Sequence, residues 1–209
     1  ACSGGLASGG ETDSGDGPIK LGMLAPFSGS EAAFGDYMKF GAQLAIDEVN
    51  ADGGVAGRDL ELVTEDDACD ATASVAAAQK LVTAGVKGSV GGYCSGATLP
   101  TLPIFADAGI PMVIPAANSN ELVGQGAFMI NGTGTQQAEA AVTWINKEGA
   151  KNVVIIDDNE AYPKDLADSI EKQATGLTVA REHVNPDEKD FSAAVNSVLG
   201  KSPDFVVWT

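Results

Sequence analysis

The chain has 209 residues, of which 44% are hydrophobic and 20% are charged, a globular composition long enough for one large domain or for one and a half smaller ones. It carries 12 Lys and Arg against 29 Asp and Glu, a formal charge of −17, which disfavours nucleic acid and anionic membranes as partners. No apolar run approaches the roughly 18–20 residues that span a bilayer. The single histidine, His183, leaves little room for metal chemistry, and we expect neither a metal nor a cofactor.

Residues 1–17 are rich in Gly, Ser, Asp and Glu and contain too little apolar side chain to pack, so they are predicted to be a disordered tether. Ala1 and Cys2 precede a Gly/Ser stretch, a pattern that resembles a bacterial lipoprotein after signal removal. That resemblance makes Cys2 the lipidated residue. The alternative is an incidental cysteine in a flexible terminus.

Strands and helices alternate along the next part of the chain. The predicted strands cover 19–25, 60–65, 86–90, 109–114 and 128–130. The predicted helices cover 34–50, a segment that Asp70 or Thr72 caps and that runs to Ala84, and 97–108. A loop at 115–120 leaves the fourth of these strands at its carboxyl end.

The alternation continues after a plausible hinge at 131–134. Helices are predicted at 135–148, from Pro163 onward and at 191–199, and strands at 152–157, 177–184 and 204–209. Strands separated by helices of this length predict an α/β fold with doubly wound parallel sheets and ligands at the carboxyl ends of the strands. Trp144 and Trp208 are expected in the core. Because the last strand resembles a central one with nothing after it, we expect the second sheet to be incomplete and the chain to be a fragment.

The turn at 91–98 is the most informative stretch, because it places glycines and the hydroxyl of Ser95 between a predicted strand and the helix that follows it. Unpaired amides at a helix start suit an anion, which favours a cradle for a carboxylate or phosphate. The spacing Gly92-x-Cys94-x-Gly96 also fits a nucleophile elbow with cysteine in place of serine.

Two interpretations of Cys94 follow. It can pair with Cys69, since both follow strands and an exported protein can form disulfides. Alternatively, a dienelactone-hydrolase-like enzyme would use Cys94 as nucleophile with Asp157 and His183, which stand in the right chain order. His183 lies inside a predicted strand, which counts against the enzyme. Asp157 and Asp158 are expected to form a charged rim instead.

Four stretches together resemble the leucine/isoleucine/valine-binding family of type I periplasmic solute-binding proteins. They are IKLGMLAPFSG, FGDYMKFGAQLAIDEVNADGGVAGRDLELVTEDDACD, GGYCSGATLP and DEKDFSAAV. The resemblance implies two α/β lobes around a cleft, at 18–131 and, incomplete, at 132–209. It also implies a monomer outside the cytoplasm, tethered by lipid and working with the membrane permease of an ATP-binding-cassette (ABC) transporter. The family's disulfide falls on Cys69 and Cys94.

The resemblance also implies a ligand site for a small amino acid of the branched-chain type or a related carboxylate, with no bond broken and no enzyme activity. Ser95 would bind the α-carboxylate, and the Ala117 carbonyl would receive the α-ammonium. Phe34 and Tyr162 match aromatic positions that flank the ligand, one from each lobe. Asn118 falls at a site position where the family commonly has threonine, and Tyr93 at one where an aliphatic residue is common. Ser95 as a plain helix cap, Phe34 and Tyr162 as packing residues, and a sensory domain of the same fold remain alternatives.

Overall fold

The computed structural model describes residues 17–186 and 188–209. Cys2, the predicted lipidation site, and nearly all of the predicted tether lie outside the described residues, so both stay predictions. Within the described ranges, every helix is too short or too polar to cross a membrane.

Parallel strands alternate with helices, in the predicted order. The strands are β1 (Ile19–Ala25), β2 (Leu60–Asp66), β3 (Gly88–Gly91), β4 (Met112–Ile114), β5 (Phe128–Met129), β6 (Asn152–Asp157), β7 (Thr178–His183) and β8 (Phe205–Trp208). The helices are α1 (Ala32–Ala51), α2 (Ala71–Thr83), α3 (Ser95–Thr98), α4 (Leu102–Asp107), α5 (Gly134–Lys147), α6 (Ala161–Gln173) and α7 (Ser192–Gly200), with 3₁₀ turns at Leu99–Thr101 and Asn120–Leu122.

The strands form two separate sheets, with orders β2-β1-β3-β4-β5 and β7-β6-β8. All of their pairings are parallel, because each pair of neighbouring strands is joined by a long crossover, which contains α-helices everywhere except between β4 and β5. The prediction of an α/β fold with parallel sheets is therefore confirmed. We call the part built on the first sheet, 18–131, the first lobe, and the part built on the second, 132–209, the second lobe.

Each lobe has its own apolar core between sheet and helices. In the first lobe, Leu81 of α2 and Phe105 of α4 pack with Ile114 of β4. In the second, Ile155 of the central strand β6 packs with helix residues that include Ile170 of α6. Burial of each such side chain contributes about 1.5–3 kcal/mol, so the two cores hold the strand ends that carry the candidate site.

Two predictions about this architecture were wrong. The helix expected at 97–108 begins at Ser95 and is divided into α3, a 3₁₀ turn and α4. Pro100 and Pro103 lack the amide that a continuous helix would need, which explains the division. Trp144 and Trp208 are 52% and 61% exposed and not in the core. Along β8 the exposure alternates, and Trp208 points to the wetter side.

The segment between the lobes is held by specific hydrogen bonds. Thr133 caps α5 in a capping box with Gln136. The amide of Gly134 donates to the carbonyl of Asn118 in the first lobe. A side chain at Gly134 would stand 2.3 Å from a carboxylate oxygen of Asp165, so glycine lets α5 start against α6.

Candidate functional site: a cleft at the strand ends

A cavity of about 570 Å³ lies between the two lobes. Its walls come from segments that follow strands: 30–31 after β1, Cys69 after β2, 93–97 after β3, 116 and 118 after β4, 158 and 160–163 after β6, and 186 after β7. Ligands of doubly wound sheets bind at the carboxyl ends of the strands, and the cavity is at this edge of both sheets. It is the candidate ligand site.

The turn after β3 lies at the base of the cleft wall that the first lobe contributes, which we call the first wall; the wall from the second lobe is the second wall. Gly91 and Gly92 have φ values of 147° and 90°. A Cβ on Gly91 would lie 2.2 Å from the carbonyl oxygen of Leu24, and one on Gly92 would lie 2.7 Å from Oγ1 of Thr98. Both positions therefore need glycine, for conformation and for space.

The disulfide fixes this turn to the loop after β2. Cys69 and Cys94 are joined, with Cα atoms 5.3 Å apart. Ala68 and Cys69 have φ values of 49° and 55°, a region unfavourable for side-chain-bearing residues. The carboxylates of Asp66 and Asp67 hold them there by accepting hydrogen bonds from the amides of Ala68 and Cys69.

The sulfur–sulfur bond also decides the interpretation of Cys94. A hydrolase of the type considered above needs the Cys94 sulfur as a free thiolate, and in the structure that sulfur is bonded to Cys69. His183 does contact Asp157, at 2.8 Å, but the pair belongs to the ion-pair network described below. The enzyme alternative is therefore not supported.

Ser95 is buried, and it lines the cleft. It is the first residue of α3, and the preceding Cys94 is the N-cap, so the plain-cap interpretation of Ser95 is wrong. Its Oγ accepts hydrogen bonds from the amides of Asn118 and Ser119, each at 3.2 Å. Within the described part of the chain, no acceptor is found for its own O–H, so the hydroxyl can donate to a ligand.

The amides that follow Ser95 are available as well. Among the described residues, the N–H groups of Gly96 and Ala97 have no hydrogen-bond acceptor, as is usual in the first turn of a helix. Both residues line the cleft. Because α3 is only 4 residues long, its dipole is small, and the hydroxyl and amide donors supply most of the attraction for an anion.

The loop after β4 places Ala116 and Asn118 in the cleft lining but not Ala117. The Ala117 side chain packs in the core of the first lobe, and its amide donates to the carbonyl of Gly92. Asn131 donates from its side chain to the carbonyls of Ala116, at 2.6 Å, and Ala117, at 3.4 Å. The Ala117 ligand contact stays a prediction, and Ala116 is a lining residue that the sequence analysis missed.

Aromatic side chains flank the cleft from both lobes. Tyr93 lines it and stacks on Phe34, with ring centroids 4.8 Å apart. Phe34 is not itself in the lining. Tyr162 of α6 lines the opposite wall and donates to Oε1 of Gln137. Burial raises the pKa of the Tyr93 hydroxyl, and the nearby Glu31 carboxylate and Tyr162 raise it further.

An ion-pair network supports the second wall. Asp157 at the end of β6 is fully buried and accepts from Arg181 at 2.7 Å. Burial alone would raise the pKa of Asp157, but hydrogen bonds from Arg181, His183 and a backbone amide outweigh it and hold that pKa below its usual value. Asp157 is therefore a buried support, not the exposed rim that we expected, while its neighbour Asp158 lines the cleft.

Asn120 ties the two lobes together, and the sequence analysis did not find it. Its amide nitrogen donates to Asp165 and, at 3.0 Å, to Ser169, both on α6 of the second lobe. Its side-chain oxygen accepts from the amide and the hydroxyl of Thr135. No sequence signal identifies this role, since asparagine in a loop usually satisfies a local turn.

Fold and cleft together define a class: an α/β protein whose two parallel-sheet lobes border a cavity at their strand ends. The sequence profile described as "periplasmic binding protein" matches residues 18–209. The chain belongs to the periplasmic binding protein family.

Known proteins of this family are similar over most of the chain. The Leu/Ile/Val-binding protein BraC3 of Rhizobium johnstonii is 37% identical over 195 residues, which are 90% of this chain and 53% of that protein. The leucine-, isoleucine-, valine-, threonine- and alanine-binding protein of Pseudomonas aeruginosa is 34% identical, over 90% of this chain and 52% of its own length.

A solved structure of a similar protein has the same fold over most of this chain. The branched-chain amino acid transporter substrate-binding protein LivJ of Streptococcus pneumoniae, in complex with isoleucine, has a TM-score of 0.84 and 33% identity, covering 91% of this chain and 56% of that one. The chain spans about half the length of the curated relatives that it matches.

Proposed function

We propose that this chain forms the ligand cleft of an extracytoplasmic solute-binding protein that captures an α-amino acid or a related carboxylate and delivers it to the permease of an ABC transporter. No bond is broken. The observation that carries the proposal is the set of unused donors on one wall: the buried Ser95 hydroxyl and the amides of Gly96 and Ala97, all lining the cavity.

These donors fit a carboxylate. The two amides that donate to Ser95 Oγ occupy its lone pairs and orient its O–H. A carboxylate at this position would receive charge-assisted hydrogen bonds, which are stronger than neutral ones. Relatives named as binding proteins for Leu, Ile and Val make an α-amino carboxylate the expected headgroup.

We propose that the lobes close over the ligand about the segment near 131–133, where the chain passes between them. Asn118 would contact the ligand from the first lobe and Tyr162 from the second, since both line the cavity. Tyr93 would pack against the ligand side chain, with Phe34 supporting it by stacking on its ring. A backbone carbonyl at Ala116 or Ala117 would receive the ammonium.

We further propose that the Cys69–Cys94 bond forms on export and that a lipid on Cys2 tethers the protein outside the cytoplasm. A relative that is named as a transporter's substrate-binding protein favours transport over sensing. The protein would act as a monomer that docks on its permease.

Replacement of Ser95 by Ala tests the carboxylate site. Calorimetry should show L-leucine binding weakened by about 1–3 kcal/mol, the range for a lost hydrogen bond to a charged group. L-leucinamide, which lacks the carboxylate, should bind the wild type weakly and lose less on the same substitution. Ser192→Ala, which removes a hydroxyl outside the cleft, should leave L-leucine binding unchanged. Equal weakening of both compounds, or no weakening, would remove Ser95 from the site.

A further inference from the structure

The cleft has a charge pattern that a carboxylate headgroup does not explain. Glu31, Asp158 and Glu160 all line it, and its lining within the described residues contains no Lys, Arg or His. The cavity and the buried Ser95 hydroxyl mark it as a ligand site independently of these acidic residues.

The three carboxylates stand on facing walls. Glu31 precedes α1 in the first lobe, and its side chain does not cap that helix. Asp158 and Glu160 follow β6 in the second lobe, where an oxygen of Asp158 accepts the amide of Glu160. Glu31 also acts on Tyr93, whose pKa it raises by its charge and by a hydrogen bond. Glu31 therefore lies beside Tyr93 in the first lobe, and Asp158 and Glu160 line the part of the same cleft that the second lobe contributes.

Closure of the lobes would bring like charges toward each other, and because Glu31 and Asp158 are half-buried and Glu160 is exposed, added salt partly screens their repulsion. A neutral zwitterion adds no net charge and leaves that repulsion in place. A ligand with a net positive charge would instead be attracted by the carboxylates of both walls and would offset their mutual repulsion. The aromatic rings of Tyr93 and Tyr162 would suit the apolar stem of a long cationic side chain.

We propose that the preferred ligand is an amino acid with a positively charged side chain, of the diamino or guanidino class, whose terminal cation lies between Glu31 and the Asp158–Glu160 segment. This inference rests on the proposed function above, in which Ser95 and the following amides bind the carboxylate end of the ligand. The side chain then runs from Ser95 along Tyr93 toward the acidic groups.

The test is an NMR titration of the 209-residue chain, followed at the amides of Ser95, Gly96 and Ala97. The probes are L-lysine, L-norleucine and benzoate. L-norleucine has the lysine carbon skeleton without the terminal amine, and benzoate is a carboxylate without any amine. We expect L-lysine to bind about tenfold more tightly than L-norleucine, with the advantage shrinking as salt is added. Benzoate should bind most weakly.

Two isosteric substitutions locate the cation. Glu31→Gln and Glu160→Gln should each weaken L-lysine binding about fivefold, as expected for partly exposed ion pairs, and leave L-norleucine unchanged. Glu139→Gln removes the same charge from an exposed position of α5 outside the cleft, and should leave both affinities unchanged.

The outcomes separate the two proposals. If L-norleucine binds as tightly as L-lysine, or if both cleft substitutions leave L-lysine binding unchanged, the charged-side-chain inference is wrong and the amino-acid function stands. If none of the three compounds shifts the Ser95–Ala97 amides, the proposed function and this inference are both overturned. A one-dimensional spectrum of each variant checks its fold, and the salt dependence in the wild type tests the inference without any substitution.

Discussion

The two walls of the cleft are held in place by different kinds of interaction. On the first wall, a disulfide, two glycines and a buried hydroxyl fix the turn after β3. On the second wall, the end of β6 is fixed by the charges of Asp157 and Arg181, with His183 and Asp168 around them. The first set of contacts is mainly covalent or neutral, with the carboxylates of Asp66 and Asp67 accepting backbone amides beside the disulfide, whereas the second set is a network of ion pairs.

This difference indicates how each wall should respond to conditions. Covalent and neutral contacts depend little on pH or salt, so the first wall is rigid wherever the disulfide is intact. Ionic contacts between partly buried groups depend on the protonation of the carboxylates. The wall that carries Ser95 should therefore be the more resistant to acid, and reduction and acid should mainly affect opposite walls.

The largest effect should come from removal of the disulfide. The double substitution Cys69→Ser and Cys94→Ser opens a loop with a sequence separation of 25 residues. The chain-entropy estimate for such a loop is about 3–4 kcal/mol of unfolding free energy. Urea denaturation followed by circular dichroism measures it.

In the chain produced without a lipid, Cys2→Ser is the matched control, since it removes a thiol that the disulfide does not use, and it should leave the urea midpoint unchanged. Titration of this unlipidated, unreduced chain should find Cys2 as a reactive thiol and Cys69 and Cys94 unreactive. A double variant as stable as the wild type would mean that the first wall does not depend on the bond.

A somewhat smaller effect should follow from Asp157→Asn. The substitution leaves Arg181, whose side chain is 15% exposed, without its buried partner but still beside Asp168 and Glu171. We expect a loss of about 2–3 kcal/mol, below the full range for a broken buried pair because those partners remain.

Tryptophan fluorescence reports this change directly, since both tryptophans, Trp144 and Trp208, lie in the second lobe. Glu171→Gln, at an exposed end of the network, should change the unfolding free energy by less than about 0.5 kcal/mol. If Asp157→Asn is equally mild, the ionic account of the second wall fails.

The smallest effect should be the loss of stability in acid, at pH values below about 4. The pKa of Asp157 is lowered in the folded protein, so its stabilising contribution is present above the unfolded value of about 3.9 and is lost as pH falls through the folded pKa. In the first lobe two neighbouring carboxylates oppose each other. Burial would raise the pKa of Asp66, but hydrogen bonds from Ser28 and backbone amides lower it, so its contribution is lost in acid, whereas burial raises the pKa of Asp67, whose contribution is largest in acid and is lost as pH rises through the folded pKa.

Two-dimensional NMR during an acid titration below pH about 4 should therefore show second-lobe amides such as Val154 losing their native signals before first-lobe amides such as Val90. The Asp157→Asn variant should lose this difference between the lobes. If native signals disappear first from the first lobe, acid sensitivity does not come from the Asp157 network.

Most of the fold could be predicted because alternating apolar strands and amphipathic helices leave a clear periodic signal. The strand 152–157 was predicted with its observed bounds, and helix α5 was placed within one residue. The failures have local causes. Two prolines divide the helix expected at 97–108, and Trp208 was assigned to the core from its composition although the alternation along β8 turns it outward.

The site was predictable where a motif lies in one stretch of chain. Tyr93, Ser95, Asn118 and Tyr162 were predicted and do line one cavity. The role of Asn120 depends on groups 45 and 49 residues away, which only the folded chain brings together. Likewise, nothing in the sequence distinguishes Glu31 and Glu160 from solvated acidic residues, and only the folded chain shows that they line the same cavity.

The glycine pair after β3 has a consequence for how such proteins diversify. Because neither Gly91 nor Gly92 has space for even a methyl group, the backbone path beneath the carboxylate position admits almost no variation. Changes of cargo must therefore come from the surrounding side chains, which can mutate one at a time without rebuilding the scaffold. The same fixed turn can in this way support clefts of different ligand specificity.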